Sequence, residues 1–178
     1  MMFHPDTRAL IELWTGLSQA ADARAGLPER AALIPERLGP RLSRAFLAER
    51  TGDDARLRLA GDWLEGFHGA PLAGVGLLSL WRHASRPLVA SALRQTVREG
   101  RPVVVAATGG TVAFEVTLAP FRGESGGREL VLGLYARAPG PPPAGRTAHR
   151  LTAQVCVGVG EPSRPALSLA AIDGRRIA

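Results

Sequence analysis

Apolar residues in this chain fall into separate periodic clusters, and the period changes several times along its length. Between Thr7 and Ala21, Leu10, Ile11, Leu13, Trp14 and Leu17 share one side of a 3.6-residue wheel, with Arg8, Glu12, Thr15 and Gln19 opposite. That spacing predicts an amphipathic helix, opened by Pro5 and capped by Asp6, with one face to bury on its own domain or against a second copy. Gly26, Pro28, Pro35, Gly39 and Pro40 reduce the next stretch to a connector with short helical turns. Ser43 to Arg50 and Ala55 to Ala60 read as a hairpin around a turn at 51–54, with Leu57 and Leu59 inward and Arg56 and Arg58 outward.

After Gly61 the period becomes helical through Phe67. Gly69, Pro71 and Gly74 then interrupt it before the apolar run from Val75 to Trp81. A longer helix is predicted from Ser85, with Pro87 in its first turn and Gly100 just past its end. Leu88, Val89, Ala92, Leu93 and Thr96 form its inner side. Three strands follow: Arg101 to Ala107, a turn at Gly109-Gly110, Thr111 to Phe121 with Val112, Phe114, Val116 and Leu118 inward, and Glu129 to Arg137 with Leu130, Leu132 and Leu134 on one face. Beyond Ala138 the run Pro139-Gly140-Pro141-Pro142-Pro143 is a stiff linker. Residues 151–159 and 166–172 have the makings of short strands without a core of their own, so a loosely docked or partly disordered tail is expected. The predicted organisation is a helix and connector over 1–43, a core over 44–137 and a Pro-rich linker with a flexible basic tail over 138–178.

Composition sharpens this picture in two places. All 22 basic residues are arginine, and the net charge of +6 is unevenly spread: residues 1–136 hold 16 arginines and 14 acids, residues 137–178 hold 6 and 2. The core is therefore nearly neutral and carries no basic stripe, which argues against nucleic acid as a partner. No stretch reaches the roughly 20 apolar residues that span a bilayer, and the start lacks a signal-peptide pattern, so a cytoplasmic protein without membrane contact is expected. One cysteine, Cys156, and four scattered histidines leave little basis for a disulfide or a metal site.

Particular words of the sequence carry a resemblance. The opening TRALIELW, the segment RLAGDWLEGFHGAPLAG leading to LLSLW, the helix ending in REGRPVVV, and the pair FEVTLAPF and LVLGLYAR resemble the single-domain PAS family of proteobacteria once catalogued as a domain of unknown function (DUF1457, or PAS_5). Gly61, Leu64, Gly69, Leu72, Gly74 and Trp81 fall where that family places them. The resemblance covers residues 5 to 137 and implies an α+β fold: a PAS-like five-stranded antiparallel sheet covered on one face by helices, with an extra N-terminal amphipathic helix. It implies a sensory or regulatory domain in signal transduction, acting through a ligand, a protein partner or both, and not an enzyme. The alternative is a ligand-free module that homodimerises or docks a partner through its N-terminal helix.

By resemblance and inward phase, the cleft between sheet and helices is expected to be lined by Leu64, Phe67, His68, Leu72, Leu80, Trp81, Val89, Leu93, Val105, Phe114, Val116 and Leu132, unless these residues simply fill the core. Leu10, Leu13, Trp14 and Leu17 are the candidate interface. The expected partners are a second copy, a signalling protein or a small apolar ligand. His68 departs from the family, whose members tend to carry an aromatic there. No cofactor is required. Haem is disfavoured, because haem-sensing PAS domains take their ligand from the longer helix and no histidine lies between Ser85 and Gly100.

No phosphate-cradling, dinucleotide, metalloprotease or nucleophile-elbow motif occurs. Gly74-Val75-Gly76 reads as a turn, and Asp53-Asp54 as turn carboxylates bonding their own backbone. Glu115 lies on the strand face opposite Phe114 and is a plain exposed polar residue if that face is solvated. Arg146 and Arg150 have the RxxxR spacing that opens cyclic-di-GMP-binding PilZ domains, but the D/NxSxxG segment that accompanies it is missing.

Overall fold

The computed structural model describes residues 3–21, 27–123, 128–139 and 149–162. Helix α1 (Pro5–Ala20) begins earlier than the pattern suggested. Pro5 occupies its first turn, and His4 rather than Asp6 is the cap, its Nδ1 accepting the Asp6 N–H at 3.1 Å. Asp6 is thereby free to clasp the connector: its carboxylate takes bonds from Arg41 (2.8 Å) and Arg44 (2.9 Å). Burial works to raise the Asp6 carboxyl, but these two guanidiniums outweigh it and hold it below the ordinary range. Between the breakers the connector forms 3-10 turns at Arg30–Ala32 and Pro35–Arg44.

Strands β1 (Ala45–Thr51) and β2 (Asp54–Ala60) make the expected hairpin. Its inward assignment of Leu59 is corrected. Leu47 pairs with Leu59 but Ala48 pairs with Leu57, so Arg58 is an extra residue at a bulge, and the side-chain phase inverts beyond it. Leu57 is buried, whereas Leu59 is 60 % exposed. Helix α2 (Asp62–His68) and 3-10 turns at Leu77–Leu80 and His83–Ser85 lead into α3 (Arg86–Glu99). Gly69 and Gly100 end the two helices at positive φ (73° and 60°), the conformation glycine adopts without strain. Val89, Ala92, Leu93 and Thr96 of α3 are buried as the pattern required.

Strands β3 (Val103–Gly109), β4 (Val112–Arg122) and β5 (Glu129–Arg137) complete the meander. The β3–β4 turn is Gly110-Thr111 rather than Gly109-Gly110, since Gly109 pairs with Val112 and Gly110 alone of these glycines has positive φ. A sixth strand, β6 (Thr152–Gly158), then pairs antiparallel with β3. Part of the tail expected to dock loosely is thus built into the sheet; the linker at 140–148 and the segment 166–172 lie outside the described residues. The sheet order is β2-β1-β5-β4-β3-β6, antiparallel throughout.

Two cores share this sheet. One, facing α2, α3 and the turns between them, joins Phe46, Leu57, Leu64, Trp81, Leu93, Val105, Phe114, Val116 and Tyr135. The other, facing α1 and the connector, joins Leu10, Trp14, Leu38, Phe121, Leu132 and Leu134. The N-terminal helix therefore covers the second face of its own sheet, and the Trp14 indole N–H donates to the Pro120 carbonyl at 2.7 Å. At its start, the His4 N–H donates to Glu115, so that carboxylate is half-buried and engaged rather than solvated.

Candidate functional site

Ten of the expected cleft residues, Leu64, Phe67, Leu72, Leu80, Trp81, Val89, Leu93, Val105, Phe114 and Val116, meet in the helix-side core, none more than 5 % exposed. They pack against one another. Leu132 does not join them: it belongs to the α1-side core, because Val131, Gly133 and Tyr135 are the β5 residues in phase with the helices, and Leu130, Leu132 and Leu134 point the other way. Of the candidate interface residues, Leu10 and Trp14 are buried on the chain's own sheet, and Leu13 and Leu17 pack partly against the same core.

Phe67 is the hub of an aromatic cluster that the sequence reading only half assembled. Its ring stacks on Trp63 (centroids 5.2 Å apart) and on His149 (5.0 Å), and meets Phe114 edge-on at 5.3 Å. His68, at the end of α2, sits on the rim of this cluster. Its Nδ1 lies 2.7 Å from the His149 carbonyl and its Nε2 lies 3.2 Å from the Tyr135 hydroxyl. A carbonyl only accepts, so Nδ1 carries the proton, and Nε2 accepts from Tyr135. Both ring nitrogens are therefore engaged within the protein. Burial pushes the His68 imidazole down to about 4, an effect the bond to the His149 carbonyl only partly opposes. Burial likewise raises the Tyr135 phenol well above its ordinary range. Neutral at physiological pH and fully bonded, His68 has no lone pair left for a metal. Among the described residues no group of three or more acidic, histidine or cysteine side chains is placed to hold one.

Next to this rim lies an open cleft of about 610 Å³. It is lined by the buried His68, Leu72 and Leu80, by Ala70, Pro71, Val75, Ser79, Arg82 and His83 of the same segment, and by His149 and Arg150. The chain after the linker is pinned there by backbone bonds: His149 N–H to the Phe67 carbonyl, Leu151 N–H to the Leu80 carbonyl, and Arg82 N–H to the Leu151 carbonyl. A second, apolar groove of about 260 Å³ opens on the α1 side of the sheet, between the connector and the β1–β2 hairpin. Leu33, Leu38, Leu42, Leu47, Leu59 and Leu132 line it.

The family model described as a PAS domain matches residues 2–136. The chain belongs to the PAS family. No curated protein matches it. Membership points to a sensory or regulatory signalling module, and the antiparallel sheet with its helical cover is the architecture the resemblance implied. Family-pattern positions acquire physical reasons here. Leu64, Leu72 and Trp81 are core residues of this PAS domain, and any β-carbon on Gly61 would meet the carbonyls of Leu42 and Ser43, where the connector crosses the start of α2. Among the described residues no helix is long and apolar enough to cross a membrane.

Tyr135 and His149 were missed by sequence reasoning. Tyr135 is the only tyrosine of the chain and stands in an apolar strand, a signal that was available. His149 follows a proline-rich linker, and nothing local announces that it returns to the core.

Proposed function

We propose that this PAS domain is a non-catalytic regulatory module whose output is self-association through the apolar groove between the connector and the β1–β2 hairpin. The observation that carries the proposal is Leu59. The bulge at Arg58 turns it out of the core, leaving it 60 % exposed in the wall of a groove lined by leucines, of which Leu42 is also 48 % exposed. Exposed large apolar side chains gathered at one groove mark an interaction surface. A second copy suits it because a two-fold contact is self-complementary: a protruding Leu59 and a leucine-lined groove lie on the same patch, so each copy supplies both halves. The connector also offers adjacent charges of opposite sign, Glu36 and Arg37, both exposed, which a two-fold axis sets against their opposites.

A seam along α1 has less support, since Leu10 and Trp14 already face the sheet. An apolar ligand in the interior also has less support, because the side chains that would hold it pack against one another. The non-catalytic reading is supported by His68 and Tyr135, whose large shifts arise from burial and whose polar atoms are committed to each other and to the His149 carbonyl.

Light scattering coupled to gel filtration tests the proposal. The wild-type chain should run as a dimer whose melting temperature rises with concentration, and Leu59→Arg or Leu42→Arg as a folded monomer, with wild-type circular dichroism, whose melting temperature does not. A monomeric wild type, or a dimer that survives both substitutions, refutes it.

A further inference from the structure

The cleft beside His68 is built differently from the apolar groove. Its lining brings together Arg82, Arg150, His83 and His149 with the Ser79 hydroxyl, and contains no carboxylate. Glu65 of α2 and Asp54 of β2, acids on the flanking segments, are both turned to the backbone: Glu65 accepts the Leu72 N–H at 2.9 Å, and Asp54 accepts the N–H groups of Ala55 (2.7 Å) and Leu78 (3.0 Å). Both guanidiniums are exposed and, among the described residues, neither forms an ion pair, whereas Asp6, Glu49 and Glu99 each attract two arginines elsewhere. Two arginines at one cleft without an internal counter-charge leave its field unbalanced.

The backbone of this site is fixed before any ligand arrives. Arg82 and Arg150 flank the bridge between Trp81 and Leu151, so the pairing that starts the approach to β6 also sets the two arginines on neighbouring stretches of chain. The His149 ring is held by its stack on Phe67, and its Nε2 is buried without a hydrogen-bond partner among the described residues. The volume of about 610 Å³ lies within the range of small-molecule sites.

We propose that this cleft binds a small oxyanion-bearing molecule, a phosphate or carboxylate compound, gripped by Arg82 and Arg150. Guanidinium groups match both oxyanions in a two-pronged geometry. Residues 149 and 150 lie beyond the family match at 136, so half of the cationic wall belongs to this chain's own extension. The inference adds an input to the regulatory reading above, and its test is independent of the Leu59 contact.

Calorimetric titration of the full chain with sodium phosphate, pyrophosphate and citrate, at a constant ionic strength of about 0.15 M, reads the binding directly. The histidine ring-proton signals locate it. Saturable binding to at least one of the three is expected, with shifts at His149 and His83. Arg82→Gln and Arg150→Gln, at exposed positions that leave the fold intact, should each weaken it about tenfold or more. Preference for the phosphates or for citrate tells the two oxyanion classes apart. Absence of saturable binding to all three, or binding that survives both substitutions, overturns the proposal and leaves the dimer reading to its own experiment.

Discussion

The Tyr135 hydroxyl donates to Nε2 of His68 across 3.2 Å of buried space, joining the central strand β5 to the end of α2. Because burial holds the folded imidazole near 4 against an ordinary value of 6.5, the unfolded chain binds the extra proton throughout that interval. Stability contributed by neutral His68 is therefore complete above pH 6.5, declines as the pH falls from 6.5 towards 4, and is gone below. The decline is at most about 1.4 kcal/mol per pH unit from this group. Urea midpoints measured across that window should show the slope in the wild type. The slope should be shallower in the double variant His68→Phe/Tyr135→Phe, where no titrating group is left at the site, and the remainder there belongs to carboxyls such as Asp6. Tyr135→Phe alone strands a buried acceptor and should cost about 1–3 kcal/mol. Equal slopes in wild type and double variant would show that His68 is not the titrating group.

Trp14 tests the covering of the sheet by α1. Its indole N–H is spent on the Pro120 carbonyl, buried in the middle of a hydrophobic face. Trp14→Phe keeps most of the apolar surface but leaves that carbonyl unpaired, a loss of about 1–3 kcal/mol seen as a lower denaturation midpoint. Trp14→Glu places an unpaired carboxylate in the same position and should abolish folding, visible as loss of near-ultraviolet dichroism. A folded Trp14→Glu protein would mean that α1 is not docked on β4.

Gly133 lies under the ring of Phe46, and a β-carbon there would run into three of the ring's atoms. Both residues sit on paired central strands, Phe46 opposite Gly133, so neither backbone has room to retreat. Gly133→Ala should cost about 1–3 kcal/mol or more through overpacking. Pairing it with Phe46→Leu should recover part of that loss, which a double-mutant cycle by urea denaturation measures.

Much of the fold was legible, because α3 and the first half of β4 each carry a period that only one arrangement satisfies. Phase failed where a strand has no exposed face. β5 lies in the interior of the sheet with a core on either side, so Val131 and Leu132 are both buried and alternation holds no information about which points to the helices. It failed at Leu59 for the opposite reason: one extra residue at the bulge inverts the side-chain order without any local mark. β6 escaped because it is an edge strand whose residues are mostly half-exposed, with little apolar contrast to read. Phe67, Trp81 and Phe114 were recognisable as core aromatics, and Tyr135 was not. The cationic cleft was not, since Arg82 and Arg150 are 68 positions apart, and only the return of the chain to pair with Leu80 and Arg82 makes them neighbours.

That return has a bearing on how the protein can be handled. β6 occupies the outer side of β3, where Val103, Val104 and Val105 stand in a row. A fragment trimmed at the family boundary would leave those valines on a bare strand edge, with amide and carbonyl groups open to any passing chain. The extension thus exchanges a buried, valine-rich edge for the half-exposed one of β6, and a chain cut before it should turn turbid at lower concentration than the full one.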